Sequence, residues 1–545
     1  YDDESKQAAA GGPLQHDQTG VEIYNTVFSL TPSPHEDATI WAGTDDGRVW
    51  ITRNDGGDWT EVTPEGLPRW STVNTIEVSP HRAGKAYLAV YRYRLDDFEP
   101  YIYRTTDYGQ SWTRIADGTR GIPEEHPTRV VREDPDREGL LYAGTEYGMY
   151  VSFDDGAHWQ SLQLNLPVTP VTDLRVHRKD LVVGTQGRSF WILDDLAPLH
   201  QIDDRVATSE AHLFSPRAAY RIEAAGFRGS PWPEVGPRGA LIDYWLGESP
   251  EGTVRIEVLE EDGDLVRRFT SDSSAVEAAR EDQGVGRLMT EPLPTSRGTH
   301  RVAWDLRYPG PDLTEDAVLW ADIGGVKAVP GSYRLRMIVG SDTVGTRTLE
   351  LRKDPRNEDV TREDLEAQFE LATTIRDTLD RLYGSLRTLR SVREQVEGVA
   401  DRAEKAVTSE TRREEIRALA DSIVAELSAV EDTLIQTKHE SGQDVINYPA
   451  RLDDRLAALG EVAGVAVLST TGWRRGTTHA SASTRCSRRS YPPSTGWPER
   501  RASRPCWRAA ADASRPAQRR GESLPRPGRD GGPAVGLRHR RVPAG

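Results

Sequence analysis

The sequence predicts a mainly β protein with a helical end, and three observations carry that expectation. One eight-residue phrase, [ST]-x-[DN]-x-G-x-x-W, recurs at 52–59, 105–112 and 152–159, and its tryptophans stand 53 and 47 residues apart. That interval is the length of one propeller blade. Short β-branched and aromatic runs bounded by Gly, Pro or Asp surround each copy, as strands demand. Beyond residue 360 the alternation gives way to Leu, Ile and Val at heptad spacing, the period of packed helices. The expected order is a partial β-propeller of about four blades, an Ig/FnIII-like β-sandwich, an α-helical hairpin and a disordered basic tail.

Residues 1–22 form a lead segment and the blades occupy 23–202. The first blade reads VFSLTPSP (27–34), TIWAGTD (39–45), RVWITRN (48–54) and WTEVTP (59–64). The second has candidate strands at 73–80, 85–93, 101–107 and 112–117, and the third at 128–135, 140–146, 148–154 and 159–165. The fourth has 171–178, 180–186 and 189–195 and no clear fourth strand. Four blades lie at the low end of closed propellers, and an unclosed set leaves bare sheet edges. Further blades are therefore expected upstream of this chain.

Residues 203–235 read as a linker with an edge strand or two. From 236 to 355 alternating runs, with hairpin turns at Asp262-Gly263 and Gly340-Ser341, predict the sandwich. From 356 to 466 the pattern is helical. Thr361 can cap a first helix with Asp364 three residues on. Its seams are Leu365, Ala372, Leu379 and Leu386 on one side and Ile375, Leu382, Leu389 and Val396 on the other. A second helix over roughly 410–438 carries Ile416, Leu419, Ile423, Leu427, Val430 and Leu434, and a third begins at Leu452.

The charge is divided. The whole chain carries −17, but from Thr471 onward there are 17 Arg, no Lys and 4 acidic residues, a net of +13, so the first 470 residues carry −30. Both cysteines, Cys486 and Cys506, lie in that last stretch. An acidic, cysteine-free body needs no disulfides and repels nucleic acid. No run is apolar and long enough to span a membrane. Residues 467–545 hold no Phe, Ile or Lys. They read either as a natural basic tail or as the out-of-frame translation of GC-rich DNA, and the abrupt change of vocabulary inside a helical pattern favours the second.

The eight-residue phrase matches the Asp-box, or BNR repeat. The runs 11–22, 41–47, 144–199 (GTEYGMYVSFDDGAHW…), 300–311 (HRVAWDLRYPGP) and 446–459 (INYPARLDDRLAAL) resemble a bacterial family of sortilin-like (VPS10-like), BNR-repeat propeller proteins often labelled glycosyl hydrolases. The resemblance covers about residues 11–466. It implies an extracytoplasmic protein longer than this chain. It transfers fold better than activity, because the Asp-box is a structural turn. Asn54, Asp107 and Asp154 are accordingly expected to build turns, and Trp59, Trp112 and Trp159 to plug them.

Because the Asp-boxes join third to fourth strands, the turns joining second to third strands lie on the opposite face. That face should gather Asp46, Asp97 and Glu146, the candidate catalytic carboxylates. With them come Asp45, Glu99, Gln186, Arg188 and Trp70 as candidate ligand-binding residues, and the interblade Glu124, Glu125 and His126. Each also reads as a solvated or turn-forming residue. Two functions follow. One is a propeller module that binds a glycan, peptide or protein partner. The other is a glycoside hydrolase, similar to two-propeller glucanases, with a carboxylate pair about 5–5.5 Å apart for retention or about 6.5–9.5 Å for inversion. No cofactor is expected, no metal-ligand spacing is present, and calcium on the acidic turns has no ligand pattern behind it.

Overall fold

The computed structural model describes residues 26–222, 236, 239–282, 291–321 and 324–465. The lead segment and the basic tail expected from the sequence lie outside them. Four antiparallel meanders come first. Blade one is β1 (Val27–Pro32), β2 (Ile40–Thr44), β3 (Val49–Thr52) and β4 (Thr60–Glu61). Blade two is β5 (Thr72–Val78), β6 (Ala86–Arg92), β7 (Asp97–Thr105) and β8 (Thr113–Ala116). Blade three is β9 (Thr128–Glu133), β10 (Leu141–Thr145), β11 (Gly148–Ser152) and β12 (Gln160–Ser161). Blade four has three strands, β13 (Val171–His177), β14 (Asp180–Thr185) and β15 (Phe190–Leu193).

Each meander runs in sequence order, and the first strands of neighbouring blades pack side by side, which is a propeller arrangement. The interfaces are apolar. Trp41, Val49, Val73, Ile76, Leu88 and Val90 fill the space between blades one and two, and Tyr87, Ile102, Ile115, Val131 and Leu141 that between two and three. Small residues set the spacing. A Cβ on Gly43 would lie 2.5 Å from a methyl of Val73, and one on Gly144 2.6 Å from a methyl of Val171.

After the blades come α1 (Ala197–Gln201) and α2 (Asp204–Thr208). The two linker strands, β16 (Ala211–Leu213) and β17 (Ala219–Arg221), join the sandwich. Its remaining strands are β18 (Ala240–Leu246), β19 (Val254–Leu259), β20 (Leu265–Thr270), β21 (Gly298–Trp304), β22 (Gly331–Val339) and β23 (Asp342–Lys353). One sheet has the order β16-β18-β21 and the other β17-β23-β22-β19-β20, with β17 parallel to β23. Trp304, Tyr244, Ile256, Val258, Leu335 and Leu349 fill the layer between them. A short helix, α3 (Ser273–Asp282), follows β20 with no signal in the alternating pattern.

The helical part is α4 (Arg362–Ala406), α5 (Glu410–Leu434) and α6 (Leu452–Val465). The Thr361–Asp364 capping box forms as expected. Ile375, Leu379, Leu382, Tyr383 and Leu386 of α4 pack with Ile435 and Ala463. Of the expected α5 seam, Leu419 and Val430 are exposed, a correction, while Ile416, Ile423, Leu427 and Leu434 are half-buried and Leu434 packs on the α4 cluster. The buried Glu431 of α5 also takes ion pairs from Arg390 and Arg393 of α4.

Candidate functional site

The three Asp-box turns use one set of bonds. In the third, Ser152 Oγ donates to Asp154 Oδ1 at 2.9 Å, the His158 amide donates to the same oxygen at 2.8 Å, and the Gly156 amide donates to Ser152 Oγ at 2.9 Å. Thr105, Asp107, Gly109 and Ser111 repeat this at 2.8, 3.0 and 2.9 Å. Thr52, Asn54, Gly56 and Asp58 repeat it again, with an amide oxygen in place of the carboxylate. The residue after the Asp or Asn takes φ near +60° and the following Gly a φ above +80°. Bonds from the Ser111 side chain and backbone hold the Asp107 carboxyl below its ordinary range. These acids are occupied by their own turns.

The tryptophans do more than plug their turns. Trp112 Nε1 donates to the carbonyl of Val62 at 2.7 Å, and Trp159 Nε1 to that of Ile115 at 2.9 Å. Each indole thus reaches past its own blade to the fourth-strand region of the preceding one. Trp59 corrects the expectation: it is 40 % exposed, with no preceding blade among the described residues to receive it.

The face opposite the Asp-boxes carries the turns β2–β3, β6–β7, β10–β11 and β14–β15, as the strand order requires. Asp46 is 1 % exposed and its Oδ1 accepts from Thr44 Oγ1 at 2.5 Å, so the carboxylate turns inward rather than toward a ligand. Asp45 Oδ1 accepts the amide of Thr26 at 3.0 Å. Asp97 stands across the ladder from Arg92. Its Oδ2 accepts from Arg92 Nε at 2.7 Å and from Tyr101 Oη at 3.0 Å. Glu99 pairs with Arg114 at 2.9 Å. Glu146 Oε1 lies 2.6 Å from Arg129 Nε. Gln186 Oε1 accepts from the same guanidinium at 3.3 Å. Trp70 is half-buried in a left-handed conformation, φ +68°. Arg188 is exposed, and its carbonyl accepts the indole N–H of Trp191 at 2.8 Å.

Arg129 is the hub that sequence reasoning missed. Besides Glu146 and Gln186, its guanidinium sits 5.1 and 5.2 Å from the ring centroids of Tyr91 and Tyr93. It therefore ties blades two, three and four together at this face. Arg132, three residues along β9, bridges Glu77 at 2.9 Å and Asp173 at 2.7 Å across the same blades. Alternation along β9 was the only available signal, because partners on other blades leave no local mark. His126 accepts or donates at Nδ1 with Tyr150 Oη at 2.8 Å and stacks on Tyr147. Burial lowers its pKa below the usual histidine range.

Alongside the exposed Asp96, Gln186 and Arg188, this face leaves large apolar side chains open. Leu95 and Phe98 flank the β6–β7 turn, Tyr147 sits in the β10–β11 turn, and Phe190 follows the β14–β15 turn at 82 % exposure. On the other side of the disc, Asp134, Asp136 and His200 bring ligand-type atoms within 4.8 Å of one another. Asp134 and His200 are already engaged with each other and their neighbours: Asp134 Oδ1 accepts the amides of Asp136 and Arg137, and Oδ2 accepts from Tyr142 Oη and meets His200 Nε2 at 2.8 Å. This cluster fastens α1 to blade three. Among the described residues no helix is long and apolar enough to cross a membrane.

No protein-family model matches the chain, and no curated protein matches it in sequence. Among solved structures it is similar to YCF48 bound to a D1 peptide, at 15 % identity and TM-score 0.25, over 45 % of this chain and 69 % of that one. It is also similar to an ancestral GH74 enzyme, at 16 % identity and TM-score 0.26, over 45 % of this chain and 33 % of the enzyme. The GH74 enzyme of Niastella koreensis gives 12 % identity and TM-score 0.25, over 60 % of this chain and 38 % of that one. The chain thus spans little more than a third of the length of these enzymes. Scores this low carry no argument, and the blade arrangement stands on the strand order and interblade packing above.

Proposed function

We propose that the chain is an extracytoplasmic binding module whose propeller rim takes an apolar peptide segment of a partner protein. The observation that carries this reading is the row of exposed Leu95, Phe98, Tyr147 and Phe190 on one rim of three successive blades. Exposed aromatic clusters of this kind anchor partners. The exposed Arg188 beside Phe190 favours an acidic residue next to the apolar segment. The carboxylates of the same face speak against the hydrolase, since Asp46 is buried and Asp97 and Glu146 are held by Arg92 and Arg129.

The test pairs a peptide array with a panel of aryl glycosides and polysaccharides, both run on the full chain. Array binding that drops at least tenfold in Phe98→Ala and Phe190→Ala, with no turnover of any glycoside, is the expected result. Turnover that disappears in Asp97→Asn or Glu146→Gln would overturn the reading in favour of hydrolysis. Peptide binding untouched by either rim substitution would place the site elsewhere.

A further inference from the structure

The five-stranded sheet of the sandwich buries one face in the core and turns the other to solvent. On that outer face Glu257 of β19 lies directly between Arg268 of β20 and Arg336 of β22, its two register partners. Glu257 Oε1 accepts from Arg268 Nε at 3.0 Å, and Oε2 accepts from Arg336 Nε at 3.0 Å and from its Nη2 at 2.5 Å. The glutamate side chain is only 3 % exposed, while the guanidinium-bearing side chains are 51 % and 42 % exposed. One buried carboxylate thus holds two guanidinium groups on neighbouring positions and leaves their remaining N–H donors facing water. Burial works against the charge of Glu257, and the bonds from Arg336 and Arg268 outweigh it, so its carboxyl titrates below the usual range.

Arg334, two residues before Arg336 on β22, shares this face by strand alternation, is exposed, and has no ion pair among the described residues. Thr348 and Thr346 stand opposite Arg334 and Arg336 on β23 and add hydroxyls. At the centre of this face three guanidinium groups stand against one carboxylate, with the acidic Glu261–Asp264 hairpin beside Arg334 and the Glu350–Arg352 pair farther along β23. The guanidinium surplus is local to the triad and Arg334, and it is there that an anionic ligand would be drawn.

We propose that the outer face of this sheet, centred on the Arg268–Glu257–Arg336 triad and extended by Arg334, binds an extended polysaccharide whose units carry carboxylates. Adjacent strands bring side chains about 5 Å apart and alternate residues of a strand about 7 Å apart, a planar grid on which carboxylates can each meet a guanidinium fork. The threonine hydroxyls suit sugar hydroxyls. No aromatic stands between the arginines, so the face lacks the stacking platform that single-stranded nucleic acid uses. Glu257 is a positioning residue.

Polygalacturonate is the probe, titrated against the full chain at low and high salt, with neutral dextran and oligo-dT alongside. Arg334→Gln has no ion partner to orphan and so keeps its fold. It should weaken polygalacturonate binding by about three- to tenfold. Arg268→Gln with Arg336→Gln should abolish the binding, with the melting temperature recorded to show that the sandwich survives. Absence of polygalacturonate binding at low salt overturns the proposal. So does affinity unchanged in Arg334→Gln, which would put the binding on the arginine-rich residues after Thr471, and so does equal affinity for oligo-dT.

Discussion

The indole N–H of Trp159 reaches the carbonyl of Ile115 at 2.9 Å, and a Cβ added to Gly156 would come within 2.4 Å of the Ile115 side chain. The second Asp-box makes the same joint to blade one. Trp112 bonds the Val62 carbonyl at 2.7 Å, and a Cβ on Gly109 would come within 2.7 Å of Val62. The phrase that sets the turn therefore also sets the blade-to-blade contact, since its glycine admits the neighbour's side chain and its tryptophan caps the neighbour's strand.

Trp159→Ala should cost about 3–5 kcal/mol, because it empties a buried site and leaves the Ile115 carbonyl unpaired. Trp59→Ala should cost well under half of that, because the same side chain is exposed in blade one. Urea denaturation of the two variants side by side measures the difference. Equal losses would mean that the interblade joint contributes nothing.

Asp107→Asn should be close to neutral, since Asn54 performs the same task in the first box. Asp107→Ala should cost about 1–3 kcal/mol by leaving the Ser111 amide without its acceptor. Thermal melting reads both, and neither variant should change ligand binding at the opposite rim.

Arg129→Met should destabilise by about 3–5 kcal/mol, the cost of removing one partner of a largely buried ion pair. Combining it with Glu146→Gln should recover part of the loss, a coupling that a double-mutant cycle in denaturant measures directly.

The helical part should respond to pH through Asp453. This carboxyl is buried beside Asp454, His439 and Tyr383, and burial raises its pKa to about 6 from an ordinary 3.8. The sign follows: a raised folded-state value means stability fully present below about 3.8 and lost as pH rises through about 6. Its full size is about 3 kcal/mol at 1.36 kcal/mol per unit. The neighbouring His439 presents Nε2 to the Tyr448 carbonyl at 3.2 Å, which only accepts, and Nδ1 to Asp454 Oδ2 at 3.3 Å. Circular dichroism at 222 nm should show a helical transition at higher temperature at pH 5 than at pH 7.5. Asp453→Asn should shrink that difference and raise the pH 7.5 midpoint.

Local chemistry in the chain determined the elements. Asp or Asn, Gly and Trp at fixed offsets build a turn from atoms within eight residues, so all three Asp-boxes were legible, as were the Asp262-Gly263 hairpin and the Thr361 cap. Strand order then placed Asp97 and Glu146 on the face opposite the boxes. What each carboxylate does there was decided only by the tertiary structure. Arg92 stands across a ladder from Asp97, Arg129 comes to Glu146 from the adjoining strand, and Thr44 draws Asp46 inward. The Arg268–Glu257–Arg336 triad likewise spans three strands whose register no single segment encodes. Turns and caps close within one stretch of chain and leave a local signature, whereas charge pairing depends on which strands become neighbours, and that follows from packing the whole core.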